Sequence, residues 1–178
     1  ADTYNYQSHN TFEDIYKFMK ETKENYFNKH LNNTLFDEFN QNDIMIISSL
    51  VEKEGINDDD KMLISSVIFN RLRKKMKLQI DASTIFSITK GEYKFNRKLS
   101  LNDLNIKDQY NTYYIQGLPP TPICYVSRKT IELVLENYNS EYLFYFYNDK
   151  LKKHLFSKSF YEHKKKLNKY RFSQWKKK

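Results

Sequence analysis

Apolar side chains recur at helical spacing early in the chain, where Phe12, Ile15, Phe18, Met19 and Phe27 predict a helix over residues 11–30. Thr11 is its expected N-cap, since a hydroxyl there accepts from the free amides of the first turn, while Glu13 and Asp14 meet the helix dipole favourably. A second helix is predicted over residues 40–55, with Asn42 as cap, Asp43 in the first turn and Gly55 as the stop. A third opens at residues 57–60 and runs to about Lys75. Residues 78–81 read as a short extended piece, 83–89 as a helical turn or two, and 127–138 as a further helix. All three prolines fall in GLPPTPI, residues 117–123, a loop stiffened by rings that fix φ and remove amide donors. In EYLFYFYNDKLKKHLFSK, residues 141–158, two strand-like runs flank Asn148, Asp149 and Lys150 and predict a β-hairpin. Helices around a small antiparallel sheet make the expected fold α+β, a single domain over residues 1–178 with no internal repeat and no linker.

Composition narrows this picture. A chain of 178 residues is long enough to bury one core, and 39% hydrophobic with 16% aromatic residues excludes an intrinsically disordered polymer. The single Cys124 excludes an internal disulfide framework and is expected to be a small buried apolar residue. The net charge of +8 is concentrated at one end, because residues 164–178 carry eight basic side chains and no acidic one. That tail, with Tyr170, Phe172 and Trp175 interleaved, reads either as a solvated terminal helix whose aromatics dock on the domain or as a surface for phosphates or an anionic membrane. No apolar run approaches the roughly 18 residues of a membrane span, and no signal peptide is visible.

The segment ISSLVEKEG, residues 47–55, raises the chemical question. On a wheel advancing about 100° per residue, Ile44, Ile47, Leu50, Val51 and Glu54 share one sector, whereas Glu52 and Lys53 fall outside it. A carboxyl that ends an apolar stripe is desolvated and its pKa rises, the property of a general acid near neutral pH. The same pattern also fits a helix that frays at Gly55, leaving Glu54 paired with Arg71 on the core stripe of the third helix. Pattern alone leaves both open. Residues 109–124 add tyrosines and asparagine before the stiff loop, side-chain types that stack on sugar faces and bond their hydroxyls, although most of the 15 tyrosines are expected to be core-edge residues.

Several segments together resemble one family: SSLVEKE at 48–54, FNRL at 69–72, LQID at 78–81, YNTY at 110–113, GLPPTPI at 117–123, and YLFYF with HLFSK near the end. In order and spacing they are similar to the MltG/YceG family of endolytic murein transglycosylases, over nearly the whole chain from DTYNY at residues 2–6 onward. The resemblance implies a lysozyme-like helical core with a small sheet and Glu54 as catalytic acid/base. It also implies that Gln79, Asp81, Asn111, Thr112 and Tyr113 bind substrate and shape the glycan cleft, with Glu52, Asn70, Arg71 and His154 in support. Asp81 has a second reading as the cap of the following helix, and no second His or Cys is spaced to form a zinc site with His154. Ile80, Ala82 and Ser83 depart from a QTDPT-like run usual in the family, and Thr121 replaces a frequent glycine.

The activity so implied is cleavage of the bond between N-acetylmuramic acid and N-acetylglucosamine with formation of an anhydromuramic end, with neither metal nor cofactor. Expected partners are glycan strands and, by family only, peptidoglycan synthases; nucleic acid is not one. An N-terminal membrane anchor and a LysM-like domain are expected to lie outside this chain, putting the catalytic region at the inner membrane and facing the periplasm. The competing readings are a glycan-binding module that regulates synthases without catalysis, and a nucleic-acid binder using the basic tail, whose affinity would collapse with salt.

Overall fold

The computed structural model describes residues 5–30 and 32–175, with the side chains of 172–175 outside that description. The expectations for Phe172 and Trp175, and for the first residues of DTYNY, therefore lie outside the described residues. In chain order the elements are α1 (Phe12–Asn28), a 3-10 turn (Thr34–Asp37), α2 (Gln41–Glu54), α3 (Asp58–Arg73), α4 (Asp81–Thr89), α5 (Leu101–Leu104), α6 (Arg128–Leu135), β1 (Phe144–Asn148), β2 (Lys153–Ser157) and α7 (Phe160–Trp175). The fold is α+β, as the alternation of helical and strand-like runs predicts.

The core lies where α2 meets α3 and α6. Ile44, Ile47, Leu50 and Val51 of α2 pack with Ile64 and Ile68 of α3 and with Ile131 and Val134 of α6, all nearly closed to solvent. Burial of such side chains is each worth about 1.5–3 kcal/mol, so this three-helix contact fixes the axis of α2 and with it the place of its last residue. The cap of α2 lies two residues before the expected one. Asn40, not Asn42, is the cap: its Oδ1 accepts the Asp43 amide at 3.0 Å, and Asp43 Oδ2 accepts the Asn40 amide at 3.0 Å. That reciprocal pair needs a carboxylate three residues on; Asn42 would have Met45 there.

Thr11 and Asp14 form the same reciprocal cap on α1. The apolar stripe of α1, however, is not a core face. Phe27 alone on this helix is fully buried, packing edge-on against Phe36, while Phe12 is 81% and Phe18 53% exposed. Only the C-terminal end of the helix reaches the body of the domain. α4 starts two residues before the predicted turn, at Asp81, with Ile80 as an N-cap that makes no side-chain bond; Asp81 is the first helical residue and not the cap.

The proline loop is anchored to α2 through Ser49, whose Oγ accepts the Ile123 amide at 3.0 Å. Cys124 is half-buried, with its thiol 3.4 Å from the Ser49 carbonyl oxygen. β1 and β2 pair antiparallel with Tyr145 opposite Phe156 and Tyr147 opposite His154. Asn148 Oδ1 accepts the amides of Lys150 and Leu151 at the tip, a side-chain turn that explains why asparagine stands there. The two faces of the hairpin diverge in use. Phe144 and Phe146 pack against His163, Phe160 and Tyr170 of α7, whereas Tyr145 and His154 turn toward α2 and α3.

Candidate active site

Glu54 is the last residue of α2. Gly55 ends the helix with its amide on the Val51 carbonyl at 2.9 Å, and a Cβ at Gly55 would run into Lys61 Cγ and lie 3.2 Å from Lys61 Cα. Glycine is needed here for the close approach of α3, since its φ of −77° is open to any residue. The Glu54 side chain points inward from the apolar stripe. Oε1 accepts the Ala82 amide at 3.3 Å from the first turn of α4, and Oε2 accepts the Tyr145 hydroxyl at 3.4 Å from β1. Burial pushes the carboxyl above its ordinary pKa, and the negative charge of Asp81 adds to the rise. The Ala82 amide, the nearby His154 and the Tyr145 hydroxyl oppose it without cancelling it.

Tyr145 is held well above the usual phenol range, by burial first and by the Glu54 charge second, so it remains a proton donor to the carboxylate. Tyr113 is raised for like reasons, by burial and by its hydrogen bond to Asp81 Oδ1 at 2.6 Å. Asp81 is exposed beside the first turn of α4, and Gln79 is exposed in a left-handed conformation, φ 52°, with its amide on the Thr112 carbonyl at 3.1 Å. Gln79, Asp81, Tyr113, Tyr145 and Glu54 thus share one edge of the domain.

Asn111 and Thr112 do not. Both are 0% exposed and stand behind that edge, where their side chains bond to the protein itself. Asn111 Nδ2 donates to the Leu104 and Ile106 carbonyls, and its Oδ1 accepts from Thr84 Oγ1 at 2.8 Å. Thr112 Oγ1 accepts the Ile80 amide at 2.8 Å and meets Ser83 Oγ at 2.8 Å. Together they fix the entry of α4, which aims the Ala82 amide at Glu54.

The ion pair between Glu54 and Arg71 that the pattern left open is not formed. Arg71 Nε donates to the Leu143 carbonyl at 2.6 Å and Nη1 to those of Lys77 and Leu78, while Asn70 donates to the carbonyls of Ser140 and Tyr142. These two side chains lash the strand-entry segment and the 77–78 segment to α3. Glu52, on the other side of α2, accepts from Ser127 Oγ at 3.0 Å and faces Lys61 Nζ at 3.4 Å, joining α2 to the start of α6. His154 Nδ1 lies 2.7 Å from Asp60 Oδ2, and that oxygen also accepts the Ile56 amide, two residues beyond Glu54.

Three participants escaped the sequence reading: Tyr145, the Ala82 amide and Asp60. Strand alternation places Tyr145 opposite in face to Phe144 and Phe146, a signal that would have singled it out once the hairpin's covered face was known. A cleft of about 980 Å³ opens between α1 and the proline loop, with Met19, Tyr26, Met45, Cys124 and Tyr125 in its walls, and Glu54 does not line it.

The profile of the YceG-like family matches residues 1–169. A Bacillus subtilis (strain 168) protein named endolytic murein transglycosylase is 31% identical over 160 residues, 90% of this chain and 43% of the relative. A Streptococcus pneumoniae (serotype 2, strain D39) protein of the same name is 34% identical over 109 residues, 58% of this chain and 19% of the relative. The crystal structure of a YceG-like protein from Listeria monocytogenes superposes with a TM-score of 0.76 at 31% identity, over 91% of this chain and 51% of that one. The chain spans less than half the length of the curated relatives it matches.

Proposed function

The chain belongs to the YceG-like family, and from that premise we propose that residues 1–178 form a single catalytic domain that cleaves peptidoglycan strands endolytically as a lytic transglycosylase. The observation that carries this reading is the Glu54 carboxyl, which ends an apolar stripe, is raised in pKa by burial, and has one oxygen on the Ala82 amide and the other on the Tyr145 hydroxyl. A carboxyl kept protonated can act as a general acid, and the same group once ionised is a base.

In the proposed reaction, protonated Glu54 gives its proton to the oxygen between C1 of N-acetylmuramic acid and the next N-acetylglucosamine. The C1–O bond breaks, the glucosamine leaves with the proton on its hydroxyl, and positive charge develops at C1 as in other glycosidases. The muramic acid's own 6-hydroxyl oxygen bonds to C1 and loses its proton to the Glu54 carboxylate. The product is a 1,6-anhydro ring, no water is consumed, and Glu54 ends protonated. Because the attacking group is part of the substrate, one carboxyl serves both steps. Tyr145 and the Ala82 amide hold the ionised form between the two transfers. Gln79, Asp81 and Tyr113 are the side chains placed to meet sugar, with Asn111 and Thr112 positioning them.

Peptidoglycan as substrate places the reaction outside the cytoplasm. We assign the domain to the periplasmic side of the inner membrane, carried by the anchor the resemblance implies, and acting on nascent strands beside the synthases that make them. Among the described residues no helix is long and apolar enough to cross a membrane. The test is a mass spectrum of the fragments released from uncrosslinked glycan. Ends lighter by one water than hydrolysed ends, and their loss in Glu54→Gln, are expected; hydrolysed ends would make the enzyme a lysozyme-type hydrolase, and strand binding with no new ends would make the domain a binding module.

A further inference from the structure

We propose that the outer face of the layer built by α7 and the hairpin docks on an anionic lipid bilayer. Between Asp149 and Arg171 the sequence carries nine Lys and Arg and only two acidic residues, Asp149 and Glu162. Both acids are engaged within the layer. Asp149 Oδ1 accepts the Tyr170 hydroxyl at 2.6 Å, and Glu162 pairs with Lys166 at 2.6 Å while accepting the Lys158 amide at 3.0 Å. The bond from Tyr170 to Asp149 also brings the C-terminal half of α7 to the hairpin tip, so that Lys150, Lys152 and Lys153 join Lys169 and Arg171 in one positive field. Lys164, Lys165 and Lys169 are exposed on the side of α7 away from the strands, whereas His163 and Tyr170 face the sheet.

Charge alone would suit any polyanion. The apolar side chains decide in favour of a bilayer. Leu151 is 56% exposed at the hairpin tip among lysines, and Tyr161, at the other end of the layer, is 79% exposed. A soluble polyanion offers nothing apolar to bury them, while the headgroup boundary takes leucine and aromatic rings as it attracts lysine. Orientation fits as well. The strand face that carries α7 is opposite the one that presents Tyr145 to Glu54, so docking by the outer side of α7 leaves the carboxyl turned away from the lipid. The contact rests on the fold and surface alone, independent of the proposed reaction, and is additional to any membrane anchor.

The experiment is sedimentation of the whole chain with vesicles of phosphatidylcholine containing phosphatidylglycerol, against phosphatidylcholine alone. Binding to the mixed vesicles only, weakened by salt, is expected, and the triple variant K164E/K165E/K169E should bind at least about tenfold more weakly with an unchanged melting temperature. Leu151→Ser and Tyr161→Ser together should lower the binding that survives at high salt. Failure of the unaltered chain to sediment with anionic vesicles overturns the proposal. So does tight binding to soluble polyphosphate combined with indifference to the Leu151 and Tyr161 changes, which would assign the face to a charged polymer. Cleavage of soluble glycan by the triple variant should equal that of the unaltered chain, which separates this result from a failure of the catalytic reading.

Discussion

His154 Nδ1 and Asp60 Oδ2 lie 2.7 Å apart, with both side chains buried, across the contact between β2 and α3. The same Asp60 oxygen holds the Ile56 amide at 3.1 Å, so one carboxylate ties the hairpin to the turn that follows Glu54. Asp60→Ala leaves a buried imidazole and a backbone amide without an acceptor. We expect a loss of about 2–4 kcal/mol in urea unfolding. A loss below about 0.5 kcal/mol, the range of ordinary surface substitutions, would show that this tie does not support the site.

Glu54 should tax the fold in its ionised form. Its carboxyl is raised in the folded protein, so the folded state binds the proton more tightly than the unfolded chain. The stabilisation from that proton is complete below the unfolded pKa and is lost as pH climbs through the raised folded value. Glu54→Gln, permanently neutral, should therefore melt at a higher temperature than the unaltered protein at neutral pH, with the gap closing in mild acid. Calorimetry at the two pH values checks this; a variant less stable at neutral pH would contradict the burial argument.

Tyr145→Phe keeps the ring and removes the hydroxyl that reaches Glu54 Oε2. A hydrogen bond to a carboxylate contributes roughly 1.5 kcal/mol, so glycan cleavage should slow by about tenfold. That bond lowers the Glu54 pKa, and its loss should move the limb of the pH–rate profile governed by Glu54 to higher pH. An unmoved limb would place the phenol outside the acid's surroundings.

Asn111 and Gln79 give opposite signatures. Asn111→Ala leaves the carbonyls of Leu104 and Ile106 and the Thr84 hydroxyl short of a partner in the interior, at a cost of about 1–3 kcal/mol. Gln79→Ala, on an exposed side chain, should raise KM for glycan with the melting temperature within about 1 °C, because surface changes away from packed features are small. Equal effects of the two on stability would refute the division between wall and surface.

Glu54 was legible in the sequence because helical period is local: Ile47, Leu50 and Val51 define a stripe, and the carboxyl falls on it with no knowledge of what packs opposite. The cap at Thr11 was legible for the same reason, and the cap of α2 slipped from Asn42 to Asn40 only because two asparagines compete within three residues. Tyr145 and Asp60 were not, since their roles exist only once the hairpin lies against α2 and α3, across 91 and 94 residues of chain. Asn111 and Thr112 entered as cleft residues through the family resemblance, and a motif does not distinguish a polar residue that meets sugar from one whose partners are all within the protein. The stripe on α1 misled in the other direction, as apolar spacing marks a face without saying that anything covers it.

Glu54 is held from three distant parts of the chain at once, by the end of α2, the first turn of α4 and the inner face of β1. Its acidity is therefore a property of the assembled tertiary structure and of no fragment of it. A chain with α2 formed but the hairpin undocked carries an ordinary, water-exposed carboxylate at that position, ionised and unable to give up a proton. The carboxyl gains its raised pKa only in a chain whose hairpin and α4 have docked on α2, so loss of that docking alone would end the acid chemistry proposed for it.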